Sequence, residues 1–385
     1  MHNIIGETLM KNPITFPKAE GIYTRQAHCD IPDGLYEREH GRNGFFGPAS
    51  HILHTHKPTG WTKWEGPLEL TLLDLNRLND SAPCPWKAQR FMHNGQTQVC
   101  FWKFDVSMPD LARNGDGDMI LFFHKGEGEF FCDYGHMSYR EGDYINIPRG
   151  TTWRLETSVR NEVLTIEATE DLFQLPERGI TGRHAQFDLA VLDTPKIDEA
   201  YKAQYGEHET RVRAKRRQQV TTVTFPYNFL DTAGWHGDCV PVKLNWRDIR
   251  ELLSDRYHLP PTVHATFLSN TIIVCTFAPR PIESDPGALK VPFYHNNDEF
   301  DESIFYHQGN FFSRDNIKPG MFTLHPSGFH HGPHPKAFAA AAANNKGERK
   351  YTDEVAVMID SRYPLELDVL PNGVKVPGYL DSWKE

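Results

Sequence analysis

The stretch Asp301-Glu302-Ser303-Ile304-Phe305-Tyr306-His307-Gln308-Gly309, continued by Gly320-Met321-Phe322-Thr323-Leu324-His325-Pro326-Ser327-Gly328-Phe329-His330-His331, has an earlier counterpart in this chain. The counterpart is Asp118-Met119-Ile120-Leu121-Phe122-Phe123-His124-Lys125-Gly126, continued by Gly142-Asp143-Tyr144-Ile145-Asn146-Ile147-Pro148-Arg149-Gly150-Thr151-Thr152-Trp153. Order and approximate spacing are kept, and such self-similarity marks one supersecondary unit used twice. Each copy reads as an apolar strand entering a glycine turn, then a second strand entering a Pro-x-Gly turn.

A strand, a glycine turn and a G-x5-P-x-G segment form the pattern of a cupin barrel, a small jelly roll able to enclose a ligand. Two copies predict a mainly β bicupin: two jelly-roll barrels, an N-terminal arm and a few short helices. The expected boundaries are an arm over 1–90, a degenerate first barrel over 91–175, a linker over 176–218, and a second barrel with its tail over 219–385. Helices are expected over Trp246–Tyr257, where Ile249, Leu252 and Leu253 recur before Pro260-Pro261, and over Ile197–Tyr205.

Composition bounds the function. The 385 residues are 39% hydrophobic and 24% charged, as in an ordinary folded protein. A formal net charge of −10 argues against a nucleic-acid partner. The one basic run, Arg211 to Arg217, reads as a solvated linker or helix face. Six scattered cysteines form no CxxC pair, which fits reduced thiols in a cytoplasm. The opening MHNIIGETLMKN lacks an export signal, and no apolar run is long enough to span a membrane. The expectation is a cytoplasmic protein without a membrane partner.

The copies differ where chemistry would sit. Glu302 stands where the first copy has Met119, and His331 where it has Trp153. With His295 upstream in PFYHNNDEFDE, the second barrel offers two imidazoles and a carboxylate. Two His and one carboxylate leave three octahedral positions open, the arrangement of non-haem Fe(II) oxygenases. Asp298, Glu299 and Asp301 also lie within reach, and the repeat register selects Glu302.

FYHNN and LHPSGFHHGPHP resemble segments of the homogentisate 1,2-dioxygenase family, as do FPYNFLDTAGWHGDCVPVKLN and RYHLPPTVHATF. The resemblance implies Fe(II) held by His295, Glu302 and His331, and ring cleavage of a hydroquinone-type aromatic with O2. It carries an acid/base role onto His258, places Phe293 near substrate, and places His325 beside substrate, to bond a substrate hydroxyl or to orient an iron ligand. Arg314, between the ligand strands, is a candidate clamp for a substrate carboxylate. A homo-oligomer is implied as well. Two departures stand out. The family keeps His-x5-Glu, whereas here the sixth residue after His295 is Asp301, so Glu302 requires a loop one residue longer. Phe293 also replaces a tyrosine, which leaves gentisate, salicylate or hydroquinone open as substrates. The reading of another class is a small-molecule-binding bicupin without catalysis.

Overall fold

The computed structural model describes residues 14–384 apart from 291–292, 312–313, 315 and 344–349. The N-terminal stretch read above for export signals lies outside the described residues. No helix among them is long and apolar enough to cross a membrane.

The first half of the chain begins with β1 (Tyr36–Gly41), β2 (Ala49–His54), β3 (Thr71–Asp74) and β4 (Gln89–His93). It continues with β5 (Thr97–Phe104), β6 (Leu111–Asn114), β7 (Gly117–Lys125) and β8 (Glu127–Cys132). Then come β9 (Gly135–Arg140), β10 (Asp143–Ile147), β11 (Thr152–Glu156) and β12 (Asn161–Thr169). The second half supplies β13 (Thr210–Arg216), β14 (Gln219–Phe225), β15 (Val242–Asn245), β16 (Ala265–Leu268) and β17 (Ile272–Phe277). It ends with β18 (Tyr294–Asn296), β19 (Asp301–Gln308), β20 (Met321–His325), β21 (Val355–Ser361) and the short β22 (Glu366–Leu367). The α-helices are α1 (Glu199–Lys202) and α2 (Pro335–Ala343).

Two long sheets share one order. In the first it is β15-β10-β7-β12-β5-β4, with β22 added at the edge; in the second it is β3-β20-β19-β21-β17-β16. Each long sheet therefore ends on a strand from the other half of the chain: β3 pairs with β20, and β15 with β10. The hairpins follow the same rule. β1 lies parallel to β18, and β13 parallel to β6. Strands β1 to β3 from the expected arm thus join the second barrel, while β13 from the expected linker and β14 and β15 from the expected second barrel join the first.

Side chains alternate across a strand, so a strand covered on both faces reads as a continuous apolar run. The run MILFF in β7 has this character and is buried throughout. One face of each long sheet joins a core shared between the barrels, with Ile120, Phe122, Leu164 and Ile166 against Phe267, Val274, Phe305 and Phe322. The opposite faces fill each barrel separately. At the join, the repeat-related His124 and His307 meet Nδ1 to Nδ1 at 2.8 Å. Burial pushes them down to about 3 and about 2, so both are neutral and one donates to the other.

Two expectations are corrected. The Arg211–Arg217 run is not a solvated linker; Thr210–Arg216 is strand β13. The first barrel supplies its counter-charges: Arg211 pairs with Asp110 at 2.8 Å, Arg216 with Asp116 and Glu170, and buried Lys215 with Glu167. The helix expected over Trp246–Tyr257 is a single 3-10 turn, Trp246–Asp248. Tertiary partners win over helical periodicity there, because the Arg250 amide donates to the Gln186 carbonyl and Glu251 accepts from the Ala278 amide at 2.6 Å. Within Ile197–Tyr205, α1 forms over four residues, capped by the Asp198 carboxylate on the Tyr201 amide.

Candidate metal centre

The repeat register can be tested by hydrogen bonds. Asp118 accepts from the Arg149 and Phe173 amides at 2.7 and 3.0 Å. Asp301 accepts from the Ser327 and Leu365 amides, both at 2.7 Å. Because Arg149 and Ser327 occupy matching places in the two copies, Asp118 and Asp301 are equivalent, and Met119 aligns with Glu302. Asp301 is occupied in holding two loops, which removes it as a ligand candidate.

Glu299 is occupied too. It pairs with Arg42 at 2.6 Å and accepts the Asn43 amide, closing the β1–β2 turn. Asp116 does the same for the β13–β14 turn, accepting the Arg217 amide at 2.5 Å and the Gln218 amide at 3.1 Å. Asp298 accepts the Asn296 amide side chain at 2.9 Å and the Gly328 amide at 3.1 Å.

Glu302 faces inward. Its Oε2 lies 3.2 Å from His295 Nε2 and 3.3 Å from His331 Nε2. Two strands and a bridge position the trio: Glu302 sits on β19, His295 on β18, and His295 and His331 exchange backbone hydrogen bonds at 2.8 and 2.9 Å. In the first barrel the corresponding bridge joins Ala112 and Trp153. Ala112, Met119 and Trp153 are all buried in that barrel's apolar core. All three ligand positions are therefore replaced together, and the first barrel is plugged.

The electrostatics suit a cation. Burial alone would raise the Glu302 carboxyl, but His331, His295 and His325 outweigh it and hold it well below the usual range. Burial pushes His331 down to about 3, so it presents a neutral imidazole, the form that binds metals. His331 Nδ1 is buried without a hydrogen-bond partner among the described residues, and Nε2 faces the Glu302 carboxylate at 3.3 Å. A buried polar atom without a partner is costly, and a bound ion removes that cost. Ligand atoms of the trio lie within 4.8 Å of one another, so the donor set fits one divalent ion.

Glu302 Oε1 is held from behind. His325 Nδ1 lies 2.9 Å away and the Arg314 guanidinium 3.7 Å, while His325 Nε2 meets the Tyr379 hydroxyl at 3.3 Å. Arg314 also donates to the Gly332 carbonyl at 2.9 Å, and its side chain is 6% exposed. Arg314, expected as a substrate clamp, and His325 are thus both placed where they orient the carboxylate. The reason is register: His325 directly opposes Glu302 across β19 and β20.

The other two expected residues line one wall beside His295. Phe293 stands 5.0 Å from the His295 ring and 5.3 Å from the His258 ring, centroid to centroid. His258 Nδ1 lies 2.9 Å from Glu283 Oε1. The sequence reading missed Phe45, whose ring sits 5.6 Å from His295. Phe45 has φ 63°, next to Asn43 and Gly44 at 53° and 63°. Three consecutive left-handed residues turn the hairpin back over the ligands, a conformation rare for a bulky side chain. No local motif flags it, because hairpin and ligands are about 250 residues apart.

Fold and site together define a two-barrel cupin with a two-histidine, one-glutamate centre in its second barrel. Residues 84–246 match the family model "Homogentisate 1,2-dioxygenase N-terminal", and 262–384 match "Homogentisate 1,2-dioxygenase C-terminal". A protein named as a dioxygenase from Saccharolobus solfataricus is 31% identical over 96% of this chain and 99% of its own length. Homogentisate 1,2-dioxygenase from Rhodopseudomonas palustris is 27% identical over 72% of this chain, which spans 64% of that protein. Among solved structures, a cupin 2 conserved barrel domain protein from Leptotrichia buccalis shares 10% identity, with a TM-score of 0.34, over 76% of this chain and 96% of its own. The chain belongs to the homogentisate 1,2-dioxygenase family.

Proposed function

We propose that this protein is an Fe(II)-dependent dioxygenase that opens the ring of a hydroquinone-type aromatic, with His295, Glu302 and His331 holding the metal. The observation that carries the reading is the set of two neutral imidazoles and one ionised carboxylate at a single buried point. Iron bound there supplies open coordination positions for a phenolic oxygen and O2, and a path for electrons from ring to oxygen. A ring carbon–carbon bond breaks, and both atoms of O2 enter the product, so no external reductant is needed.

The protein's own residues position the reactants. His325 and Arg314 fix Glu302 so that Oε2 faces inward. Phe293 and Phe45 give an aromatic ring apolar surfaces beside His295 and exclude water from that side. With Nδ1 turned toward Glu283, His258 has Nε2 left to take a phenolic proton. Burial lowers His258 below its usual value, against the opposing pull of Glu283, so it is neutral at pH 7 and ready to act as a base.

The pH dependence follows from that sign. Activity falls as acid protonates His258, so the acid limb of kcat/KM lies below pH 6.5. His258→Gln is expected to lower kcat/KM by about 100-fold or more, and to flatten that limb, as loss of a general base does. An unchanged limb in the variant removes the role.

The reading itself is tested with 18O2. The protein, reconstituted with Fe(II) without air, is mixed with homogentisate, gentisate, salicylate or hydroquinone. Two labelled atoms in a ring-opened product support it, whereas no oxygen consumption with any of the four overturns it. Phe293, in place of a hydroxyl-bearing tyrosine, favours a substrate whose distal edge is less polar than that of homogentisate.

A further inference from the structure

A second group of ligand-type side chains lies on the inward face of the β1–β2 hairpin, behind Phe293. Glu37 and Glu39 are two apart on β1 and point the same way, and His51 on β2 directly opposes Glu39. His28 enters ahead of the hairpin in the left-handed region, φ 57°, and stacks on Phe293 at 4.1 Å. Its Nε2 is 2.8 Å from Glu39 Oε2, and its Nδ1 is 2.6 Å from Glu37 Oε1.

The charge count at this point is unusual. The Glu37 and Glu39 side chains are 0% and 6% exposed, and among the described residues no lysine or arginine pairs with either. Two buried carboxylates side by side require a positive charge. His28 answers the demand by geometry: its two ring nitrogens face one carboxylate each. Glu37 Oε2 is nonetheless buried without a hydrogen-bond partner among the described residues. His331 carries the same mark at the centre described above. Ligand atoms of His28, Glu39 and His51 lie within 4.8 Å of one another.

We propose that His28, Glu39 and His51 form a second site for a divalent transition-metal ion, with Glu37 supplying the remaining negative charge. Nitrogen and carboxylate donors suit zinc and its neighbours in the first row rather than calcium or magnesium, which prefer oxygen alone. The His51 side chain is 29% exposed, so solvent can complete the coordination. The rival occupant is a proton on His28.

The site holds because both ends of the hairpin are tied to the iron barrel. β1 lies parallel alongside β18, with Glu39 in register with His295, so an ion at the second site fixes the wall that carries Phe293 and Phe45. The role is therefore one of positioning, and the primary readout is metal content.

The full-length protein, stripped of metal, is titrated with Co(II), followed by its absorption bands, and separately dialysed against Zn(II) for elemental analysis. The wild type is expected to take two equivalents per chain. His51→Ala and Glu302→Ala should take one each, and the double variant none. His28→Gln, which keeps a polar side chain stacked on Phe293, should match His51→Ala. One equivalent in the wild type, retained in both hairpin variants, overturns the proposal in favour of the proton. Two equivalents in wild type and in both hairpin variants also overturn it, by moving the second ion elsewhere. One equivalent in the wild type, kept in Glu302→Ala and lost in His51→Ala, would instead sustain the second site and refute the iron centre, so the two readings fail separately.

Discussion

Glu302→Ala empties the metal centre: iron content is expected to drop from about one per chain to near zero, and ring cleavage to fall with it. Mutating a residue that merely orients a ligand costs roughly 10–100-fold in affinity or activity, so deleting the ligand itself should cost at least about 100-fold. The variant also removes the carboxylate 3.7 Å from the Arg314 guanidinium, whose side chain is 6% exposed. Taking a counter-charge from beside a buried guanidinium is destabilising, so the melting temperature should drop as well. Glu302→Gln keeps the volume and separates the two effects, losing the metal with a smaller stability change. Glu299→Ala serves as the control. It opens the contacts to Arg42 and Asn43 at the rim of the hairpin, and should keep its iron. Elemental analysis of the three variants after reconstitution decides; full iron in Glu302→Ala together with loss in Glu299→Ala would reassign the carboxylate.

Asp301→Ala gives the opposite profile, a stability loss with the metal retained. The carboxylate is buried and accepts two backbone amides, those of Ser327 and Leu365. Each buried donor left unpaired costs about 1–3 kcal/mol, so the expected loss is about 2–6 kcal/mol, read by denaturant or thermal unfolding. Asp118→Ala should behave alike, because it makes the matching pair of bonds in the first barrel. A stable Asp301→Ala protein that has lost its iron would contradict the structural role.

The repeat was readable because the glycines, prolines and strand residues that build each barrel recur in the same order, from Asp118 to Trp153 and from Asp301 to His331. It also located the difference between the barrels, since a plugged site and a ligand site can share a backbone while exchanging Met119 for Glu302. The equivalence of β1–β2 with β13–β14 was not readable. Those hairpins share little beyond alternation, and what they match is the partner strand in the opposite half, β18 or β6, far away in sequence. The basic character of β13 masked a strand because its counter-charges come from elsewhere in the chain. His325 and Arg314 were found as site residues, but that both reach Glu302 was not readable, since which side chains meet depends on how the strands pair. The wall of Phe45, His28 and Glu39 lay outside any local pattern. Its members gather only when the hairpin crosses to the second barrel.

The most direct test of the centre is X-ray diffraction from crystals of the Fe(II)-loaded protein, with data on both sides of the iron absorption edge. A single iron peak is expected between His295 Nε2, His331 Nε2 and Glu302 Oε2, with none among Ala112, Met119 and Trp153. An iron peak at Glu299 or Asp301, or none in the second barrel of protein that carries one iron per chain, would contradict the assignment.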